Sequence, residues 1–501
     1  MNQIIVTVLI LSPLIGMLLI LLTNSQQEQQ LKRMGVLGAL IPLILSLWMV
    51  ALFDFNHPGY QLTQEAPWFQ FSPPGGEGVL SITYAVGVDG LSVAMMLLVT
   101  ILSVMAAIAS SYITARLKEY FLLFFLLEIG MLGVFGSLNL FLFFIFFEIT
   151  IISAFFLIGI WGYVERERAA YHFLLYNGIG SVAMLVAFVM IFMKVGSLSL
   201  PELASAFSNT ALAPWFSSAV FLLLLFAFGV KLPIFPLHSW MLRVHVEAHP
   251  AIVMIHAGVL LKLGAYGLIR LNAGLLPAEL ERFSLFIAVL GAINILYGAV
   301  LAFRQRDIKR VLAYASLSHM GIVLLGIAAQ NESGLTGAVF QSISHGLISA
   351  LLFFIVAVLY ARTKTTMLDE LGGLAKTMPL LCGFLMAAGM ANLGLPGMSG
   401  FISEFLAFLG IFNTYPAVGA ASLLGLILTA VYMLRAVLAT SFGPLAEKWS
   451  GLTDIRGFEW IPLVVLTALI IVIGIYPAVL GDTIRLAVES VGHGLLTRMG
   501  G

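Results

Sequence analysis

Seven ionisable residues stand inside stretches that are otherwise strongly apolar: Glu128, Glu148, Lys231, Lys262, His319, His345 and Glu404. A charged side chain at the centre of a membrane helix costs about 2.5–3.5 kcal/mol, so several retained together imply internal partners, internal water and a use. The chemical types suit proton traffic. Desolvation brings carboxylates and lysines toward the neutral range, and histidine begins there. An acid close to a lysine also makes a switch, because pairing favours the charged form of both and separation pushes the lysine to release its proton. Glu148 and Lys231 are a candidate pair of this kind. Structural pairing, with Glu148 and Lys231 simply locking two helices, is the competing explanation. His319 in LSHMGIV, His345 in ISHGLISA and Glu128 in LLEIG also suit helix–helix hydrogen bonds, and His238 and His256 fit either role equally.

Two of the elements that carry these groups are punctuated unlike the rest. FAFGVKLPIFPLHSW places Lys231 beside Pro233 and Pro236, and ANLGLPGMSGFISEF sets Pro396 among Gly394, Gly397 and Gly400, shortly before Glu404. Proline removes a ladder hydrogen bond and glycine loosens the turn, so both segments are expected to be broken helices whose freed backbone groups face protein or water. Interrupted helices at corresponding places in two halves point to a transporter core of inverted repeats, here spans four to eight against nine to thirteen. The run Gly394 to Gly400 lacks the preceding strand and the following Lys-Ser/Thr of a phosphate loop.

The chain of 501 residues is 61% hydrophobic and only 10% charged, with a mean hydropathy of +1.06, a composition built for lipid. About fourteen windows reach the roughly twenty apolar residues that a crossing helix needs. They lie near 4–23, 34–54, 89–113, 119–136, 138–162, 170–194, 217–240, 250–271, 283–303, 308–329, 335–360, 378–411, 417–440 and 461–481. The expected architecture is therefore an all-α polytopic membrane protein. It divides into N-terminal helices with an outer loop (1–114), a first repeat (115–272), a second (273–441) and a C-terminal loop and last helix (442–501). The first window has no preceding Lys or Arg and no small-residue cleavage pattern, which reads as a retained helix rather than a leader. Basic residues cluster in alternate loops, at Lys32–Arg33, Arg116–Lys118, Arg166–Arg168, Arg304–Arg310 and Arg362–Lys364 among others. The opposite side holds Lys194, Arg270, Arg282, Arg485 and Arg498. The positive-inside rule then puts both termini on the outer face. The longest outer loop, Asp54 to Val88, lacks Lys and Arg and alternates apolar with polar residues, suggesting a small extramembrane hairpin. A single cysteine, Cys382, cannot supply an iron–sulfur cluster or a disulfide framework.

The segments VKLPIFPLHSW, HVEA followed by AGVLLKLGAYGLIR, RQRDIKRVLAYASLSHMG, FQSISHGLISALLFF and LGGLAKTMPLL…NLGLPGMSGFISEF resemble the antiporter-like membrane subunits of NADH:quinone oxidoreductase (respiratory complex I), in particular the M or subunit-4 type. The resemblance runs from GVDGLS at 87–92 to the end of span thirteen. It implies fourteen helices with two inverted five-helix repeats, a Glu–Lys pair at Glu148 and Lys231, a connecting lysine at Lys262, histidines at His319 and His345, and an exit carboxylate at Glu404. Position and resemblance together order a row from Lys231 through Lys262, His319 and His345 to Glu404, with Glu128 as a further proton-transfer group. They also imply a proton-pumping subunit with no cofactor of its own. Flavin, iron–sulfur clusters and quinone would belong to partner subunits, and the neighbours would be L- and N-type membrane subunits with peripheral redox subunits beyond. The setting would be a bacterial cytoplasmic or equivalent energy-converting membrane, with no role for nucleic acid.

Glutamate at position 404 separates the subunit-4 type from L- and N-type subunits and from many cation/proton antiporter chains, which carry lysine there. A subunit of a multisubunit cation/proton antiporter or of a membrane-bound hydrogenase is the alternative reading. The family pattern WLPxAHxEAPT reads here Trp240-Met-Leu-Arg-Val-His245-Val-Glu247-Ala-His249-Pro250, with Leu242 and His249 in place of prolines and His256 where an aliphatic residue is usual. These departures fall where proton entry would be built.

Overall fold

The computed structural model describes residues 4–71, 80–209 and 212–499. Eighteen helices and one hairpin are described. In chain order they are α1 (Ile5–Leu22), α2 (Glu28–Leu52), β1 (Gln61–Phe71), β2 (Leu80–Val88), α3 (Gly90–Ala109), α4 (Leu117–Gly136), α5 (Leu140–Trp161), α6 (Arg166–Val195) and α7 (Leu200–Asn209). They continue with α8 (Pro214–Lys231), α9 (Ser239–Glu247), α10 (Pro250–Ala273), α11 (Pro277–Arg304), α12 (Ile308–Ala328), α13 (Glu332–Thr363), α14 (Pro379–Asn392), α15 (Ser399–Thr414), α16 (Pro416–Ser441), α17 (Trp460–Ile475) and α18 (Ala478–Met499). Among the described residues thirteen helices are long and apolar enough to cross a bilayer, and the pair α14 and α15 supplies a further interrupted crossing. The chain is an integral membrane protein of about fourteen crossings.

Both expected breaks are present. Crossing seven ends as a regular helix at Lys231 and resumes at Ser239, and crossing twelve stops at Asn392 and resumes at Ser399. Each is the fourth member of a set of five successive crossings, α4 to α10 and α11 to α16. Five is odd, so the second set enters the bilayer from the side opposite the first, which inverts one repeat relative to the other. The backbone freed at the first break is taken up by one side chain. Asn294 of α11 accepts from Phe235 N at 2.7 Å and donates to the Pro233 carbonyl at 3.3 Å. At the second break, Gly394 (φ +73°) and Gly397 (φ +92°) adopt the left-handed conformation that turns the chain between the two half-helices.

Helices α10 and α13 are enclosed on all sides by their neighbours, and α12 nearly so. Helix α13 packs against α10, α12, α15 and α17, making it the axis of the second half. Helix α10 contains two π-helical stretches, His256–Leu260 and Leu268–Ala273, on either side of Lys262.

The long loop between the second and third crossings forms the expected antiparallel hairpin, with Glu65 opposite Ala85 and Ala66 opposite Tyr84, and Pro67 sits at an irregularity in the register where its missing N–H is tolerated. Thr7 of α1 hydrogen-bonds Gln64 and Tyr84, tying the hairpin to the bundle. The connecting residues 72–79, including Gly75, lie outside the described residues. Two expectations need correction. The last crossing ends at Ile475 rather than near 481, and the residues beyond it, 478–499, form a further helix, α18, which packs on the start of α3. Arg270, grouped with the outer loops on sequence, belongs to α10 and is buried, because Asp89 pairs it there.

Candidate functional site

The second half of the site is a connected polar row through the apolar interior. Lys262 Nζ lies 2.7 Å from His345 Nδ1, and it also donates to the Ala257 carbonyl in the first π-helical turn of α10. A π-turn displaces backbone bonding by one residue and is a recurrent feature of functional helices. His345 Nε2 lies 3.2 Å from Ser316 Oγ of α12. The His319 ring stands 5.4 Å from that of His345, and His319 Nδ1 lies 2.9 Å from Gln341 Nε2. Gln341 in turn accepts at Oε1 from Ser403 of α15, the residue before Glu404. Lys262, His345 and His319 are thus brought together across α10, α13 and α12, and the row reaches α15 at Ser403, the sequence neighbour of Glu404.

Glu404 is buried beside the second break. Its carboxylate occupies the space a Cβ on Gly394 would fill, so the glycine-rich turn and the acid are built as one unit. Tyr432 of α16, also buried, interacts electrostatically with this carboxylate.

The first half is more open in its connections. Lys231 closes the last turn of α8, where the break leaves its side chain buried against the rings of Phe147 and Phe173, at 5.0 and 5.4 Å. Glu148 acts on it electrostatically, yet among the described residues the Lys231 ammonium makes no hydrogen bond and one oxygen of Glu148 is likewise buried without a partner. The structure therefore holds the Glu148–Lys231 pair separated, and the locked ion pair considered on sequence is not formed. Glu128 of α4 is fully buried, with the Ser103 hydroxyl as its polar neighbour.

The departures from the family pattern also find places. His249 is the N-cap of α10: Nδ1 accepts from Ala251 N at 3.3 Å, and burial together with the nearby Lys309 ammonium pushes the imidazole down to about 3, keeping that nitrogen free to accept. Glu247 holds the loop before α6 through Glu165 N, at 2.9 Å. Leu242 lines a cavity of about 370 Å³ with Arg168, Arg243, Glu247 and Arg310, beside the second half of the broken crossing. His238 packs on Phe235 and Tyr297.

Sequence reasoning missed Gln341, Ser403, Ser316 and the Asp89–Arg270 pair. Spacing held a clue to three of them: Gln341 is one turn before His345, Ser316 one turn before His319, and Ser403 adjoins Glu404. Arg270 donates to both oxygens of Asp89, at 2.6 and 2.7 Å, while Asp89 caps α3 by accepting from Ser92 N. It joins the C-terminal end of α10 to the end of the hairpin.

Two interrupted helices flanking a buried acid–base row define a membrane ion-transport subunit of the antiporter type. The chain belongs to the NADH:quinone oxidoreductase/Mrp antiporter transmembrane family, whose model matches residues 137–431. It is 36% identical over 495 residues to NADH-quinone oxidoreductase subunit M of Rickettsia conorii, an alignment spanning 97% of this chain and 98% of that one. Its structure superposes on a chain of respiratory complex I from Thermus thermophilus with a TM-score of 0.86 at 30% identity, covering 98% of this chain and 99% of the other. A chain of the Mrp complex from Dietzia sp. shares the fold, with a TM-score of 0.82 at 19% identity over 99% of this chain and 97% of that one.

Proposed function

We propose that this chain is the M-type, or subunit-4-type, subunit of an NADH:quinone oxidoreductase and that it moves protons across the membrane without a redox centre of its own. The observation that carries the reading is the row Lys262–His345–His319–Gln341–Ser403, which ends beside Glu404 at the second helix break. In an apolar bundle such a row is costly unless it is used. Identity of 36% over nearly the whole length with a subunit M supports the particular assignment.

In this account the division into repeats at 115–272 and 273–441 gives each half one broken helix and one titratable group at the break. Lys231 releases its proton when Glu148 is withdrawn, because a lysine in an apolar pocket without its counter-ion favours the neutral form. Lys262, His345 and His319 pass protons along the membrane plane, and Glu404 delivers them to the outer side. Glu128 takes a secondary part. The cavity beside Leu242 and Arg243 is the inner mouth, and both termini lie outside. Flavin, iron–sulfur clusters and quinone reside in partner subunits, and L- and N-type membrane subunits are the neighbours.

Affinity purification of the tagged chain from its native membrane, followed by mass spectrometry and flavin and iron–sulfur spectroscopy, tests the assignment. Peripheral redox subunits are expected to accompany it. Recovery of small cation/proton antiporter subunits alone would replace this reading with the antiporter one.

A further inference from the structure

We propose that His256 and His245 form a two-imidazole relay that carries protons between Lys231 and Lys262, joining the two halves of the path. The proposal rests on the proton-translocating reading above.

His245 Nε2 and His256 Nδ1 are 3.1 Å apart, with the rings nearly perpendicular. The two residues come from different elements: His245 from the half-helix α9 that follows the first break, and His256 from the opening of the π-helical turn in α10. Both are fully buried. The other nitrogen of each ring, His245 Nδ1 and His256 Nε2, has no hydrogen-bond partner in the protein. A buried polar atom in that condition costs about 1–3 kcal/mol, which an apolar side chain in either place would avoid. A pair kept only for packing has no reason to carry this cost twice.

The position is the second argument. Lys231 Nζ and the His256 ring lie on the same Phe173, at 5.4 and 5.9 Å from its centre. Lys262 is held by the carbonyl of Ala257, the residue after His256. Both lysines act electrostatically on His256, while Lys262 acts on His245 and His245 on His345. The pair therefore fills the interval between the end of α8 and the start of the polar row.

The transfer balances. Neutral His256, with its proton on Nδ1, receives a proton from the Lys231 ammonium at Nε2 and becomes an imidazolium; Lys231 is left as the amine. The Nδ1 proton then passes to Nε2 of His245, which releases its own Nδ1 proton to the neutral amine of Lys262. Movement of the lysine side chains or a bridging water spans the outer two steps. Each ring ends as the other tautomer and resets by reorienting before the next proton.

The test compares His256→Gln, His245→Gln, the double variant and Lys231→Ala in assembled complex reconstituted in vesicles, reading proton translocation driven by NADH and a soluble quinone. Glutamine retains hydrogen bonding but cannot carry a net proton. Each single glutamine variant is expected to lose about tenfold or more, given the roughly 10²–10⁴-fold worth of a positioned acid–base group, and the double variant no more than either single. Parental translocation in either glutamine variant that assembles, or additive losses in the double, overturns the relay. If Lys231→Ala also translocates at the parental rate, the proton-carrying reading itself fails; if it alone is defective, only the relay does.

Discussion

Lys262 Nζ lies 2.7 Å from Nδ1 of His345, two residues 83 positions apart in the chain. In its ammonium form Lys262 has donors only, so it then donates to His345 Nδ1 and to the Ala257 carbonyl, and that form requires the His345 proton on Nε2, facing Ser316. The far side of the His345 imidazole thus already touches the next helix. This contact ties three separate helices into one polar unit.

Gln341 is the bridge on which that unit depends. It contacts His319 through its amide nitrogen and accepts from Ser403 through its oxygen. Gln341→Leu is expected to lower NADH-driven proton translocation about tenfold, with the loss read per assembled complex. An undiminished rate would route the protons around Gln341.

Gly394 and Gly397 separate two effects at the second break. Both have positive φ, but a Cβ on Gly394 meets the Glu404 carboxylate, whereas one on Gly397 meets nothing within 4 Å. Gly397→Ala should cost backbone strain alone, on the order of 1–3 kcal/mol. Gly394→Ala should add displacement of Glu404 and suppress translocation well beyond the Gly397→Ala level. Equal translocation by the two variants would detach Gly394 from the acid.

The breaks and the charged members of the site were legible in the sequence because each violates a local rule of membrane helices. Lys231 beside Pro233, and Glu404 after Gly394-Leu-Pro-Gly397, carry a cost that only a specific environment offsets. Gln341 and Ser403 carry no such signal, since neutral polar residues are ordinary at helix contacts. The His245–His256 contact needs the rotation of α9 against α10, which one sequence does not contain. Helix α18 did not stand out as a crossing because Asp482, Arg485 and Glu489 interrupt its apolar residues.

Asp89 and Arg270 form a buried pair, so removing one partner strands a charge. Arg270→Leu is expected to cost about 3–5 kcal/mol, and Asp89→Asn in the same chain to restore part of it. Thermal unfolding of the purified complex, followed at this subunit, measures both. Additive destabilisation would show that the two do not act as a pair.

Orientation is tested with cysteines, since the native Cys382 is buried. Arg306→Cys should react with an impermeant maleimide only from the cytoplasmic side, and Asn56→Cys, exposed before the hairpin, only from outside. Reversed labelling would invert the assignment.

Glu404 carries the central claim, because it is the last titratable group of the row and is packed against the break itself. Glu404→Gln preserves volume and hydrogen bonding but cannot hold and release a proton, whereas Glu404→Asp can. The decisive measurement is proton translocation in vesicles, driven by NADH and a soluble quinone and normalised to assembled complex. The account predicts loss of translocation in Glu404→Gln and partial retention in Glu404→Asp; equal rates for the glutamine variant and the parent would contradict it.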